Sequence, residues 1–288
     1  MSIPRLAAIL LLGLAATAQA QISVEVVIDQ EQFLRDENLL MKVRVVNRSG
    51  QTLKFGPAMD WLSFNVETRE GKVVQSSGEL PESEAFTLES SMIATRLVDL
   101  SNVYKFDLPG RYSVSAVVKV KEWGQEFPSK AKIFEIVRGT KMWEQEFGIP
   151  SEGGAPEVRK YILQRAQYQK RPMLYLRVSD AGERFSFGCV PVGPLLSFSQ
   201  PEAQVDRTSN LHLLFQTGAR TFRYTVYNPS AELLVRQSHE YGKSRPALKM
   251  NEAGGIFVNG GARRIVADDV PPPVMASNST NDVSIPKP

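Results

Sequence analysis

Apolar and polar residues alternate along several short segments of residues 21–139. Residues 22–28, 39–45 and 112–120 each carry apolar side chains at every second position, for example Ile22 and Val24. A period of two places one set of side chains against a core and the other toward solvent, which is the pattern of a half-buried β-strand. With turn signals such as Pro-Gly between the segments, about seven short strands are predicted here, a number typical of a two-sheet sandwich.

Two stretches of this region resemble a known kind of module. Residues 39–55 read LLMKVRVVNRSGQTLKF, and residues 104–116 read YKFDLPGRYSVSA. A core strand followed by an Asn-containing turn, and a later strand that begins with Pro-Gly-x-Tyr-x-Val, resemble the immunoglobulin-like β-sandwich modules of exported bacterial proteins. The resemblance implies a scaffold or recognition module over residues 21–139, and it assigns no site residue.

Residues 140–170 have a different composition. Gly and Pro between Gly148 and Pro156 are typical of a linker. Pro156 is placed to begin a helix, and Val158, Tyr161, Ile162 and Ala166 follow at helical spacing. We therefore expect a linker followed by an amphipathic helix, with Trp143 and Phe147 packed at a module junction.

The region 171–270 has a repeated pattern of strand, turn and strand. Turn-like centres begin at Asp180, Asp206, Asn228 and Asn251, and a short strand-like segment follows each of them. Strands are also predicted before three of them, at 173–178, Thr221–Tyr227 and Ala247–Met250. This pattern predicts a second antiparallel β domain of repeated hairpins. Such hairpins resemble propeller blades, but four hairpins make about two blades, so a small meandering sheet, a barrel or a second sandwich is expected instead. The fold class predicted for the chain is therefore mainly β.

The second β domain carries arginine and aromatic residues at close intervals, which gives a possible ligand surface. Such surfaces suit glycans, peptides and anionic polymers. An ordinary sheet with a polar outer face is the competing interpretation. The residues of the possible surface are Arg220, Arg223, Tyr227, Arg236, Tyr241 and Arg245.

Few residues in the chain point to catalysis. There are one Cys and two His, and neither GxSxG nor HExxH occurs. Cys189 has apolar neighbours and is expected to be a buried small side chain, and His212 lies in a strand pattern in which a structural or surface role is expected. The pair Asp268-Asp269 lacks the spacing of a calcium loop. We predict no catalytic residue, no metal site and no cofactor.

The composition limits the kind of partner. The chain of 288 residues has a formal net charge of +3 and is 23% charged, which is too weakly basic for the field that nucleic-acid binding normally needs. No nucleic-acid partner is therefore predicted. The expected partner is an unidentified protein or polysaccharide of the cell envelope.

The first 20 residues have the pattern of an export signal. Arg5 precedes an apolar run, and Ala18-Gln19-Ala20 fits a small-x-small cleavage site. Cleavage there would leave no transmembrane segment, because no second apolar run of about 20 residues follows. A periplasmic or secreted location is expected. Residues 271–288, rich in Pro, Ser and Asn, are predicted to be a disordered tail.

Three hypotheses for function follow. The first is an exported, non-catalytic binding or structural protein. The second is a hydrolase of an extracellular polymer that uses acids or His239 of the second β domain. The third is a proteinase inhibitor that uses an exposed loop, for which the segment 76–91 is the candidate.

Overall fold

The computed structural model describes residues 21–149 and 156–272, and these residues are mainly β. They form 21 strands and three 3-10 helices of three residues each, with no α-helix in the described ranges. The chain divides into two compact units. The first holds the described residues up to Phe33 together with Asn38–Ile136, and the second holds Leu34–Glu37 together with the described residues from Val137 onward.

The first unit contains two larger antiparallel sheets and one small one. One sheet has the strand order β1-β3-β7, the second has the order β2-β10-β8-β5 with β9 added to β8, and β4 pairs with β6. The 3-10 helices are Met59–Trp61, Leu100–Asn102 and Lys121–Trp123. The strands are β1 Ile22–Val27, β2 Gln32–Leu34, β3 Leu40–Asn47, β4 Leu53–Phe55, β5 Leu62–Thr68, β6 Phe86–Leu88, β7 Ile93–Asp99, β8 Gly110–Val120, β9 Gln125–Pro128 and β10 Lys132–Val137.

Both larger sheets of the first unit contribute to one hydrophobic cluster. Val43 of β3 and Val114 of β8 are fully buried members of it. Their strands show the predicted alternation, in which buried positions are separated by more exposed ones. Tyr112 lies at the start of β8, and its hydroxyl donates a hydrogen bond of 2.7 Å to the carbonyl of Leu108. That bond holds the incoming loop against the first buried residues of the strand.

The second unit is built from sheets in which strands that follow one another in sequence are neighbours. The four-stranded sheet has the order β11-β12-β13-β14, and a five-stranded sheet, here called the C-terminal sheet, has the order β15-β16-β17-β18-β21. The hairpin β19-β20 completes the unit. The strands are β11 Thr140–Ile149, β12 Glu157–Tyr168, β13 Arg171–Asp180, β14 Ser186–Pro194, β15 Glu202–Val205, β16 Leu211–Gln216, β17 Thr221–Tyr227, β18 Leu233–Glu240, β19 Ala247–Met250, β20 Ile256–Asn259 and β21 Ala262–Arg264.

The C-terminal sheet is covered on both of its faces. Leu213 of β16 belongs to a cluster shared with the four-stranded sheet. Its neighbour Leu214 belongs to a second cluster, which includes Leu248 of β19. Residues 211–215 are consequently buried without a break. A continuous apolar run is expected wherever both faces of a strand are buried.

The predicted amphipathic helix is wrong, because residues 157–168 form strand β12. Tyr161, Ile162 and Leu163 are all fully buried although they are consecutive, which a one-sided helix does not allow. β12 is an inner strand, paired with β11 on one side and β13 on the other. The helical spacing of apolar residues was fortuitous, since burial on both faces removes the alternation that identifies a strand.

The turn after β12 explains part of this error. Tyr168 pairs with Arg171 across a two-residue turn, and both Gln169 and Lys170 have positive φ, at 47° and 64°. This geometry is that of a type I′ hairpin, which usually carries Asn or Gly. Because neither Asn nor Gly is present at these two positions, no turn signal marks a hairpin there.

Several other predictions have a definite outcome in the described residues. The predicted strands Thr221–Tyr227 and Ala247–Met250 are confirmed with the same bounds. Phe147 packs inside the second unit, where its ring stacks on Tyr161 at 4.1 Å between centroids. The start of the region predicted as a linker, Thr140–Ile149, is strand β11. The export signal at residues 1–20, the Gly-rich segment 150–155 and residues 273–288 of the predicted tail lie outside the described residues.

The hydrogen bond of Tyr112 provides a test of the first unit. Tyr112→Phe removes only the hydroxyl, so we expect the free energy of unfolding to fall by about 1 kcal/mol, the usual net contribution of one such bond. Urea unfolding followed by tryptophan fluorescence measures the change. Tyr241→Phe is the control because the Tyr241 side chain is exposed, and equal losses in the two variants would contradict a stabilising role for Tyr112.

Candidate functional site

The six residues predicted as a ligand surface fall into two groups on opposite faces of the C-terminal sheet. Arg223 and Tyr227 point to the same face of β17, and Arg236 of β18 pairs directly with Thr225 on that face. The remaining three lie near the other face. The ring of Phe222 belongs to that other face, and the guanidinium of Arg245 stands 5.3 Å from it.

The first group forms a compact set of side chains, here called the arginine cluster: Arg223, Thr225, Tyr227 and Arg236. Thr225 lies between the two arginines because it is two residues from Arg223 along β17 and opposite Arg236 across the ladder. Burial raises the pKa of Tyr227 to about 12, and the charges of Arg236 and Arg223 partly oppose that rise. Both guanidinium groups therefore act on the Tyr227 phenol.

Several polar atoms of the arginine cluster are buried without a hydrogen-bond partner in the described part of the chain. They are Nε of Arg223, Oγ1 of Thr225 and Nε of Arg236. Thr225 is fully buried. A buried donor without a partner costs about 1–3 kcal/mol, and folded proteins retain few such groups. Three of them on one patch of a sheet indicate that the patch is suited to an additional polar group.

A segment beyond β21 approaches the arginine cluster from the sheet edge. Val270 forms a two-way backbone bridge with Arg236 of β18. Asp268, just before it, places a carboxylate oxygen 3.0 Å from Nη2 of Arg223. Asp269 accepts a hydrogen bond of 2.6 Å from Arg263 and one of 3.3 Å from the amide of Val266. In the acidic pair noted in the sequence, Asp268 therefore pairs with Arg223 and Asp269 pairs with Arg263.

The second group is a surface at the end of β17 and β18. Arg220 donates from Nη2 to the carbonyl of Tyr241 at 2.9 Å, and its guanidinium lies 5.9 Å from the Tyr241 ring centroid. Arg220, Tyr241 and Arg245 are all exposed. These contacts are typical of a solvent-exposed strand end. Arg220 already lies against the ring of Tyr241, and Arg245 lies against that of Phe222.

The two histidines are buried in the sheet and do not form an open catalytic site. His212 is hydrogen-bonded through Nδ1 to the Tyr224 hydroxyl at 2.7 Å and through Nε2 to Asp206 at 3.1 Å. Burial opposes ionisation of Asp206, but hydrogen bonds from His212, Thr208 and Asn210 outweigh it and keep its pKa below the ordinary value. Asp206 is therefore the ionised acceptor, and His212 donates to it from Nε2.

Tyr224 completes this hydrogen-bonded chain. Burial raises its pKa to about 12, and its hydroxyl is hydrogen-bonded to Nδ1 of His212 at 2.7 Å. His212 and Tyr224 are both buried. The network ties the turn at Asp206 to strands β16 and β17, in agreement with the structural role predicted for His212.

Cys189 has the environment expected from its apolar neighbours. Its side chain is buried and belongs to a small cluster with Leu34 and Tyr175. Burial raises the pKa of the thiol, with a further contribution from the Glu37 carboxylate. A thiol that resists ionisation is a poor nucleophile.

The first unit carries an open cavity beside the predicted inhibitor loop. Its volume is about 420 Å³. The loop is held to the unit, since the amide of Ser77 bonds to Val103 and that of Ser83 to Pro57, while residues 86–88 form strand β6. The cavity is lined by Ala58, Asp60, Leu62, Ser63, Phe64, Ser76, Gly78, Glu79, Leu80, Glu82, Val103 and Tyr104.

Alternation along Thr221–Tyr227 places Thr225 on the face of Arg223 and Tyr227, but the predicted surface did not include it. Sequence reasoning also did not connect Asp268 with Arg223. The Asp268–Arg223 pair has no such signal, since 45 residues separate its members. Within the described ranges, no group of His, Cys, Asp and Glu is arranged to hold a metal ion.

Comparison of the chain with protein-family models gives no match, and comparison with curated proteins gives none either. No helix in the described ranges has both the length and the apolar character needed to span a bilayer.

His239 makes the stability of the second unit sensitive to mild acid. Burial lowers its pKa from the ordinary value near 6.5, and the Arg263 charge adds to this effect. The unfolded chain therefore takes up a proton before the folded one does, so stability is complete above pH 6.5 and falls as the pH drops below it. We expect wild type to lose more stability than His239→Phe between pH 7.5 and 5.5.

Urea unfolding at the two pH values measures this difference. His239→Phe keeps a ring against Tyr224, which lies 6.5 Å away between centroids, and it cannot be protonated. The comparison uses the change within each protein, so a constant cost of the substitution cancels. The same change in both proteins would show that His239 does not govern the acid response.

Proposed function

We propose that the chain is an exported, non-catalytic binding protein whose arginine cluster binds an anionic polymer of the cell envelope. The observation that carries the proposal is the set of buried polar atoms on Arg223, Thr225 and Arg236, which find no hydrogen-bond partner among the described residues. Guanidinium and hydroxyl donors on one patch are complementary to an oxyanion. The three side chains stand on two paired strands, so the donors are pre-organised, and the Arg223 side chain keeps 23% of its surface open to solvent.

The N-terminal sequence supports export. A positive residue, an apolar run and the segment Ala18-Gln19-Ala20 have the order of a signal peptide. Cleavage there would release the chain to the periplasm or the medium. A cell-envelope polymer is a partner available in that location.

Three features support an immunoglobulin-like β-sandwich for the first unit. Its two sheets share one core. Tyr112 forms a tyrosine corner at the start of β8, through its bond to the Leu108 carbonyl. Trp61 is buried just before β5, with 1% of its surface exposed. In antibody domains a cysteine follows the corner tyrosine by two residues, and Val114 occupies the equivalent position after Tyr112. A module of this kind would serve as a scaffold for the binding unit.

The hydrolase and inhibitor alternatives have less support. A hydrolase needs an acid or base that can reach a substrate, whereas His212 and His239 are both buried. A loop inhibitor needs an exposed segment that protrudes from the fold. The candidate loop is exposed over most of its length, but Ser77 and Ser83 anchor it to Val103 and Pro57.

Binding to a defined acidic polymer tests the proposal. The chain without residues 1–20 is passed over immobilised polygalacturonate and over neutral dextran, and its dissociation constant is measured at rising salt. We expect binding to the acidic polymer alone, weakened by salt. Arg236→Gln is expected to weaken it about tenfold or more, because a hydrogen bond to a charged group contributes about 1.5–3 kcal/mol.

Arg264→Gln is the matched control. It removes the same charge from the same sheet, but Arg264 is exposed and pairs with Glu240. Only a small effect is expected from it. If the two variants lose binding equally, the attraction is a general effect of net charge and the arginine cluster is not the site.

A further inference from the structure

The contact between Asp268 and Arg223 uses only part of the arginine side chain. The carboxylate oxygen Oδ2 stands 3.0 Å from Nη2, while Nε of the same guanidinium is buried and has no hydrogen-bond partner in the described ranges. Nε and Nη2 are the two donors on one edge of a guanidinium, the edge that a carboxylate grips with both oxygens. Asp268 therefore contacts Nη2 of Arg223 and leaves Nε without a hydrogen-bond acceptor in the described ranges.

The segment that carries Asp268 is attached at points on either side of it. Val270 is bonded to Arg236 through two backbone hydrogen bonds. The turn Val266–Asp269, which contains Asp268, is closed by a side-chain oxygen of Asp269 that accepts a hydrogen bond of 3.3 Å from the amide of Val266. Asp268 itself is about half exposed, with 47% of its side-chain surface open to solvent. The carboxylate can thus leave Arg223 by a side-chain rotation that breaks no backbone hydrogen bond of the sheet edge.

Arg236 adds a second positive charge to the same patch. Its guanidinium forms no ion pair or side-chain hydrogen bond with any residue in the described ranges, and its Nε is buried. Thr225, between the two arginines, offers an unbonded hydroxyl. Arg223 therefore has Asp268 as its ion-pair partner and also acts on the charge of Asp269, whereas Arg236 has no acidic partner in the described ranges.

We infer that the ligand of the arginine cluster presents a carboxylate group, which replaces Asp268 on the Nε–Nη2 edge of Arg223 and is held there by the charge of Arg236. The inference rests on the proposed function, since it names the chemical group that the same site recognises. Asp268 marks the position of the ligand carboxylate and competes with it. A planar carboxylate matches the guanidinium edge with two parallel hydrogen bonds.

The test uses small anions and the chain from residue 21 to residue 288. Acetate, sulfate and phosphate are titrated separately at constant ionic strength, and the Nε–Hε resonances of the arginines are followed by nuclear magnetic resonance. We expect acetate to shift the Arg223 resonance with a tighter dissociation constant than sulfate or phosphate. Arg223→Lys keeps the charge but removes the two-donor edge, so it is expected to remove the preference for acetate.

Asp268→Asn gives the sharper result because it is predicted to improve binding. Removing the competing carboxylate should tighten acetate binding about two- to fivefold, the size associated with a partly exposed ion pair. Glu240→Gln is the matched control, since Glu240 is an exposed partner of Arg264 in the same sheet. It removes the same charge without touching the arginine cluster and is expected to leave the acetate affinity unchanged.

The possible outcomes separate this inference from the proposed function. If polygalacturonate binding depends on Arg236 but Asp268→Asn and Glu240→Gln behave alike, the competition by Asp268 is refuted while the proposed function stands. Tighter binding of sulfate or phosphate than of acetate would likewise overturn the carboxylate assignment alone. If Arg236→Gln changes neither polymer nor anion binding, both proposals fail.

Discussion

The second unit depends on one constraint: the central strands of its C-terminal sheet bury side chains on both faces. Leu213 and Leu214 are neighbours in sequence, yet they belong to different hydrophobic clusters. A strand in this position has no face on which a polar group can simply meet water. Every polar side chain placed there needs a partner within the protein or from outside it, because an unsatisfied buried group destabilises the fold.

The polar residues of this sheet meet the constraint in two ways. His212 is satisfied within the protein, between Tyr224 and Asp206, and the result is a network that joins a turn to two strands. Thr225 and Arg236, on the opposite face, retain buried atoms without a partner in the described ranges. The first arrangement stabilises the fold, whereas the second is the local inconsistency on which the proposed binding site rests.

The constraint also explains which predictions succeeded. In the first unit, β3 and β8 have one buried and one more exposed face, so alternation identified them. In the second unit, β12 is buried on both faces over Tyr161–Leu163, and its apolar residues imitated helical spacing. The strand β17 was still predicted with the correct bounds, because β-branched and aromatic residues fill it and turn residues flank it.

The site was predictable only in part, for a similar reason. The sequence identified Arg223, Tyr227 and Arg236, because spacing along a strand and hairpin pairing are local properties. It also joined to them three residues that the ladder places near the opposite face, including Arg220 and Tyr241. Three of the six predicted residues therefore share one face of the sheet, and the other three lie near the opposite face.

Local alternation, turn residues and composition determined from the sequence alone that this chain is mainly β, that its second half consists of hairpins and that Arg223 and Tyr227 share one face of their strand. Tertiary structure alone decided that β12 is a strand and that Asp268 meets Arg223. Burial of both faces and contact between residues far apart in sequence are properties of the assembled sheets. The alternation of apolar and polar residues identifies a strand only where one of its faces stays open to water.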